Sequence, residues 1–363
     1  MVEIIRLLSE RGPVTFAQFM QWALYHPEEG YYSRPGRIGK TGDYYTSPHV
    51  HPAFGAALAL ETETLWKALG CPENFTVMEL GAGEGYLARD FLSSLIPELA
   101  QTITYVIVEP RRKMIPTQKA RLDGPWQVQW LLRPEEAGEI TGVILSNEVF
   151  DALPVHLVEK RGSELKEVYV SAESGRIFEV LGPLSSEEFF SEVAQFFPRW
   201  PEGYRTELHP ASRQLLTTLA KVLKRGLIIT IDYGYPEAIY YAPYRARGTL
   251  MSYWRHRLVE DPYQRVGEQD ITAHVNFSAL KRWGEPLGLE PLGFIPQGTY
   301  LVSVGLEKIL SRLPPQGPKE MNQLKLLIFP QGLGESHSVF LQKKGDFAYH
   351  SPGLAIRNRL HLL

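Results

Sequence analysis

The stretch that most limits what this chain can fold into is FTVMELGAGEGYLARD, residues 75–90. Phe75, Val77, Met78 and Leu80 predict a short buried strand interrupted by Glu79. Gly81, Gly83 and Gly85 predict a tight turn, and the apolar spacing from Tyr86 to Leu92 predicts a helix. Strand, glycine turn and helix form the opening unit of a nucleotide-binding α/β fold. Glycines let the backbone approach a ligand, and a helix start presents free N–H groups. A dinucleotide fingerprint has the spacing G-x-G-x-x-G. Here the third glycine comes one residue early, position 86 is tyrosine, and Glu79 and Glu84 flank the turn. Two carboxylates repel a pyrophosphate and suit a cationic ligand.

A ligand carrying an amino group and a sulfonium meets that requirement. E-L-G-A-G-E-G, residues 79–85, resembles motif I of the class I S-adenosylmethionine (SAM) methyltransferases. The cofactor-binding set expected from it is Glu79, Gly81, Ala82, Gly83, Glu84 and Gly85, with Asn147 further along. The apolar run Ile103 to Val108 then ends at Glu109, 24 positions after Gly85. A carboxylate at the tip of a second strand can accept hydrogen bonds from both ribose hydroxyls.

At 363 residues the chain has room for one large domain with insertions or for two domains. A net charge of −3 supplies no global basic field for nucleic acid or an anionic membrane. The single cysteine, Cys71, excludes an internal disulfide and a cysteine-based zinc site. No apolar run approaches the roughly 20 residues that span a bilayer. The N-terminus reads as mature structure, with a bacterial cytoplasm as the expected location.

Residues 1–72 read as a helical cover followed by a cleft loop. Ile4, Ile5, Leu7 and Leu8 share one face, Thr15 is placed to cap the next helix, and a loop rich in glycine and tyrosine runs from Gly30 to Pro48. Residues 73–154 carry the strand–helix alternation of a parallel sheet, with strands at 75–80, 103–108, 128–132 and 142–146. Residues 155–211 read as an inserted antiparallel meander, with strands at 155–160, 165–170 and 176–181, then a helix. From 212 to 363 the core resumes with a helix, an apolar strand at 226–231, and a cleft loop at 236–275. Helices at 277–287, 301–313 and 320–327 and a closing strand at 338–343 follow.

In doubly wound sheets ligands sit beyond the carboxyl ends of strands. The loop Asn147-Glu148-Val149-Phe150-Asp151 is therefore expected to face the same crevice as the glycine turn. Methyl transfer needs an aligned acceptor and little water, and carboxylates hold a guanidinium as a fork. Glu148 and Asp151 are the expected acceptor-binding pair; the alternative is a capping Asp151 and a solvated Glu148. Asp232, after the strand at 226–231, and His274 complete the expected catalytic set. His49, His51, His256 and His274 lack carboxylates at ligand spacing, so no metal is expected. A hydrolase nucleophile elbow and a phosphate-binding P-loop are both missing from the sequence. Arg245, Arg247, Arg255, His256, Arg257 and Arg265, among Tyr241, Tyr244, Tyr253 and Trp254, read as a solvated or lid-forming loop in preference to a nucleic-acid surface.

Several separated stretches together resemble one family, the MidA-like SAM-dependent methyltransferases, which include a mitochondrial complex I assembly factor that dimethylates an arginine. They are GDYYTSP (42–48), ELGAGEG (79–85), NEVFDALPV (147–155), IDYGY (231–235), GTLMSYWRHR (248–257), GEQDITAHVNF (267–277) and Gln297-Gly298. Tyr44, where the family usually has phenylalanine, and Asn276, where it usually has aspartate, depart from the pattern. The resemblance implies a class I, Rossmann-like α/β sheet with a helical cover, inserted elements over a substrate cleft, and SAM as cofactor. It implies an arginine-containing protein as methyl acceptor, and leaves a homodimer open. The other readings are a SAM-binding assembly scaffold with little catalysis and a small-molecule methyltransferase.

Overall fold

The computed structural model describes residues 2–33, 46–255 and 257–363; most of the loop expected at 30–48, Tyr44 included, and His256 lie outside the described residues. The chain divides into two compact units that it enters and leaves repeatedly.

The sheet unit takes residues 46–149, 215–234 and 277–363. Its strands are β1 (Phe75–Leu80), β2 (Ile103–Val108), β3 (Val128–Leu131), β4 (Ile140–Asn147), β5 (Leu223–Tyr235), β6 (Leu289–Pro296) and β7 (His337–Lys344). They lie in the order β3-β2-β1-β4-β5-β7-β6. The ladders from β3 to β5 are parallel, and β7 runs antiparallel to both β5 and β6. Consecutive strands step one way from β1 to β3 and the other way from β4, so the strand order reverses between β1 and β4. An open α/β sheet leaves its ligand crevice at such a point.

The parallel strands are nearly continuous apolar runs because both faces are covered. Val77, Ile107, Val143, Leu145, Ile229 and Ile231 join one buried core with helix Ala53–Ala68 and helix Tyr86–Ser93. Backbones press together at Gly142, where a Cβ would lie 1.9 Å from the Thr76 carbonyl oxygen, so only glycine fits. The expected helix over 301–313 is two helices, Gln297–Val304 and Leu306–Leu310, because Gly305 breaks the ladder at φ +104°. Strand β6 was not expected; its two prolines and Gly293 mask the pattern, and pairing with β7 holds it in place.

The antiparallel unit takes residues 2–33, 150–214 and 235–276. The first part of the expected 1–72 cover (2–33), the insertion and the cleft loop share this one body, because each contributes to common cores, whereas 46–72 belong to the sheet unit, where helix Ala53–Ala68 packs on the strands. Ile4, Leu8, Phe16, Phe19, Val168, Val170 and Ile271 form one core, and Phe189, Trp200, Tyr204 and Tyr240 a second. Thr15 caps helix Phe16–Tyr25 by accepting from the Gln18 N–H at 3.2 Å. The expected meander is there as His156–Arg161, Glu164–Glu173 and Arg176–Gly182. Among the described residues its sheet has five strands, completed by Val14–Thr15 and Arg205–Leu208, both too short to show a period. Within 236–275, expected as loop, Met251–Trp254, Arg257–Val259 and Asp270–Thr272 form a small antiparallel sheet. Among the described residues no helix is long and apolar enough to cross a membrane.

Candidate active site

Register fixes the rim of the sheet unit. Leu80 pairs with Val108 and Ser146, and Asn147 pairs with Ile231. The residues next along the chain, Gly81, Glu109, Glu148 and Asp232, therefore lie along one edge; Asp232, expected just past a strand ending at 231, is still within β5, which runs on to Tyr235 because β7 pairs with it. Gly81, Gly83 and Gly85 take φ of +60°, +52° and +86°, left-handed values that disfavour any side chain. A Cβ added at Gly83 meets no atom within 4 Å, so the turn cradles open space. Ala82 is buried, and its carbonyl accepts from the Gly85 N–H at 2.7 Å, which closes the turn against the helix that Gly85 caps.

The carboxylates on this edge differ in environment. Glu79 is buried and accepts from the Tyr105 hydroxyl at 2.8 Å. Burial raises its carboxyl to about 8; the Tyr105 bond opposes that rise and the charge of Glu109 adds to it. Glu84 is partly exposed and pairs with Arg121 at 3.1 Å. Glu109 is fully buried and holds Arg111 and Gln118. Gln118 was not singled out from sequence. Its Nε2 donates to the Gly83 carbonyl and to Glu109, both at 2.9 Å, while its Oε1 accepts from Trp130 at 3.0 Å. It ties the glycine turn to the second strand's acidic tip.

Beyond β4, Asn147 Nδ2 donates to Glu148 Oε1 at 3.2 Å. Asn147 Oδ1 and Ser146 Oγ are buried with no hydrogen-bond partner among the described residues. Glu148 sits at φ +51°, a conformation that costs a non-glycine residue about 1 kcal/mol or more. Its N–H donates to the Ile231 carbonyl at 2.9 Å, which holds the turn in place. His337, buried at the start of β7, brings Nε2 to 3.4 Å from Glu148 Oε1 and packs against Tyr233 in a tilted pair, 4.0 Å between ring centroids. No sequence spacing announces His337; it reaches the rim because an antiparallel neighbour of β5 must begin where β5 ends. Asp232 is fully buried and accepts from the Tyr233 N–H at 2.9 Å.

Asp151 and His274 fall in the antiparallel unit, where the structure brings them together. The Ala273 N–H donates to the Asp151 carbonyl at 2.9 Å. His274 donates its N–H to Thr249 Oγ1 at 3.1 Å, has Nδ1 at 3.3 Å from the Thr249 carbonyl, and stacks on Tyr235 with an interplanar angle of 6°. Thr249 is itself held by Glu207, a buried carboxylate that accepts from the N–H groups of Thr249 and Leu250 and the hydroxyls of Tyr240 and Thr249. Burial pushes the Glu207 carboxyl up and the neighbouring His209 down to about 4.

His51 bonds Gln316 at 3.0 Å and the Ala53 N–H at 3.1 Å, and His49 bonds Thr46 at 2.8 Å. Among the described residues no group of three or more His, Cys, Asp or Glu could hold a metal ion. Arg255 and Arg265 lie over the Trp254 ring, at 4.7 Å and 4.4 Å, which turns those cations onto the protein's own aromatic surface.

A family model described as "Putative S-adenosyl-L-methionine-dependent methyltransferase" matches residues 57–295. The chain belongs to that family. It is a SAM-dependent methyltransferase of MidA-like type, built on the Rossmann-like sheet described above. A Burkholderia thailandensis crystal structure bound to S-adenosyl-homocysteine is 32% identical, with a TM-score of 0.88, over 100% of this chain and 95% of that one. The mouse mitochondrial protein arginine methyltransferase NDUFAF7 is 27% identical over 369 residues, 92% of this chain and 81% of the relative. Its Drosophila melanogaster homologue is 24% identical over 93% of this chain and 83% of the relative. The open cradle at Gly83 and the unpartnered Asn147 Oδ1 fit the cofactor. Glu79, the three glycines, Glu109 and Asn147 are the residues that would hold it.

Proposed function

We propose that this methyltransferase acts on the guanidinium of an arginine in a protein substrate. The observation that carries the reading is the strained Glu148, whose carboxylate accepts from Asn147 at the sheet rim beside the glycine turn, with His337 Nε2 3.4 Å away. Relatives described as protein arginine methyltransferases, matched over most of the chain, support the same acceptor. When bound, SAM supplies an electrophilic methyl carbon. A guanidinium is planar and cationic, so a fixed carboxylate both attracts it and sets the direction of its attacking nitrogen. The nitrogen that gains a methyl group loses a proton, and Glu148, with His337 behind it, is placed to receive that proton. Asp232 lies along the same rim.

The test is methyl transfer from labelled SAM to proteins of a cell lysate, with mass spectrometry of the modified residues, for the parent and Glu148→Gln. Label on arginine in the parent, and a loss of at least about a hundredfold in the variant with S-adenosylhomocysteine (SAH) binding retained, is the expected result. Label on lysine or on small molecules would remove the arginine reading. Full turnover by Glu148→Gln would remove Glu148 from it. SAH binding with no transfer would favour an assembly scaffold.

A further inference from the structure

The expected partner of Glu109 is a ribose, yet in this structure the carboxylate already has a full set of donors. Its Oε1 accepts from the Arg111 backbone N–H at 3.0 Å and from Arg111 Nε at 2.8 Å. Its Oε2 accepts from Arg111 Nη2 at 3.0 Å and from Gln118 Nε2 at 2.9 Å. A carboxylate offers about four lone-pair sites, and all of them are in use on a side chain with no exposed surface.

The four donors are not equivalent. The Arg111 N–H belongs to the backbone that leaves β2, and Gln118 is fixed at both ends of its amide by Gly83 and Trp130. The guanidinium sits at the end of a long side chain that keeps 22% of its surface exposed. It places one donor on each carboxylate oxygen. Two neighbouring ribose hydroxyls need the same arrangement, one donor to each oxygen.

We propose that Arg111 is a built-in stand-in for the cofactor's ribose, and that its guanidinium must leave Glu109 before the two hydroxyls can take its place. The inference rests on the SAM-site reading of Glu109. At Glu109 the exchange is two donors for two, but it replaces a charge-assisted pair with neutral donors, so the closed arrangement weakens binding. If closed outweighs open by about ten to one, the apparent affinity falls by about tenfold. Arg111 thereby sets cofactor affinity without touching the bound cofactor.

The experiment is calorimetric titration of the 363-residue chain with SAH, for the parent, Arg111→Ala, Arg111→Met and Glu109→Gln, and for Arg111→Met combined with Glu109→Gln. Arg111→Met keeps the apolar stem and carries the test if the alanine variant does not fold. Both Arg111 variants are expected to bind about tenfold more tightly than the parent, with faster association, and that gain should vanish in the Glu109→Gln background. Equal or weaker binding by Arg111→Met, in protein whose circular dichroism and melting match the parent, overturns the proposal. So does a gain that survives Glu109→Gln, because the guanidinium would then act elsewhere. If neither the parent nor any variant binds SAH, the cofactor-site reading itself fails.

Discussion

On the proposal that Glu79 meets the cofactor's amino group, SAH binding is expected to depend on pH. Burial holds its carboxyl at about 8, against an ordinary 4.5, so at pH 7 the ligand-free protein keeps it largely protonated. A cationic amino group placed against it favours the carboxylate, so binding must release that proton. Each pH unit below 8 then weakens binding about tenfold. At pH 6 roughly one molecule in a hundred carries the carboxylate, and at pH 8 about half do, so SAH affinity should rise about fiftyfold across that interval and level off above it. The same sign governs stability: the folded protein holds this proton more tightly than the unfolded chain does. The benefit is full below about 4.5 and is lost as pH climbs through 8. Calorimetry from pH 6 to 9, in buffers of contrasting ionisation enthalpy, measures both the affinity and the released proton. Glu79→Gln has nothing to titrate and should give a flat profile. Tyr105→Phe removes the bond that opposes the rise and should move the curve to higher pH. A parent profile as flat as that of Glu79→Gln would refute the reasoning, since the carboxyl would then not meet the ligand's charge.

Two further substitutions probe the turn and the frame of the antiparallel unit. Gly83→Val puts a branched side chain on a left-handed residue and into the open cradle, so the variant should keep its fold by circular dichroism while SAH binding drops below detection. Binding within about tenfold of the parent would show that the ligand does not pass there. At Gly248, φ is +73° and a Cβ would stand 2.2 Å from Glu207 Oε1, a carboxylate pinned by several donors. Gly248→Ala should cost about 3 kcal/mol from backbone strain and a disturbed buried network, read by thermal melting; a melting temperature within about a degree of the parent would contradict it.

Local spacing exposed the parts of this protein that are made locally. Residues 75–90 carry strand, turn and helix within one window, and each glycine there needs a backbone conformation that its own identity permits. The meander strands alternate over six residues or more, so they too were legible. Strand Arg205–Leu208 was not: four residues carry no period, and it exists because His156–Arg161 offers it a ladder. The small sheet within 236–275 escaped notice because arginine and aromatic residues alternate there without an apolar face.

The sequence by itself determined the nucleotide-type turn, its acidic flanks and the family, because glycine spacing and carboxylate placement are properties of short segments. It placed Glu148 just past one strand and Asp232 near the end of the next, and the pairing of Asn147 with Ile231 then aligned them, although β5 runs on past Asp232 to Tyr235. Only the tertiary structure decided their partners. His337 comes to Glu148 from 189 positions away through the antiparallel run of β7, and Gln118 reaches Gly83 across 35 positions. It also decided that Glu109 meets Arg111 and that Glu79 is buried deeply enough to raise its carboxyl to about 8. Such choices depend on which side chains burial excludes from water, and burial is set by the packed whole.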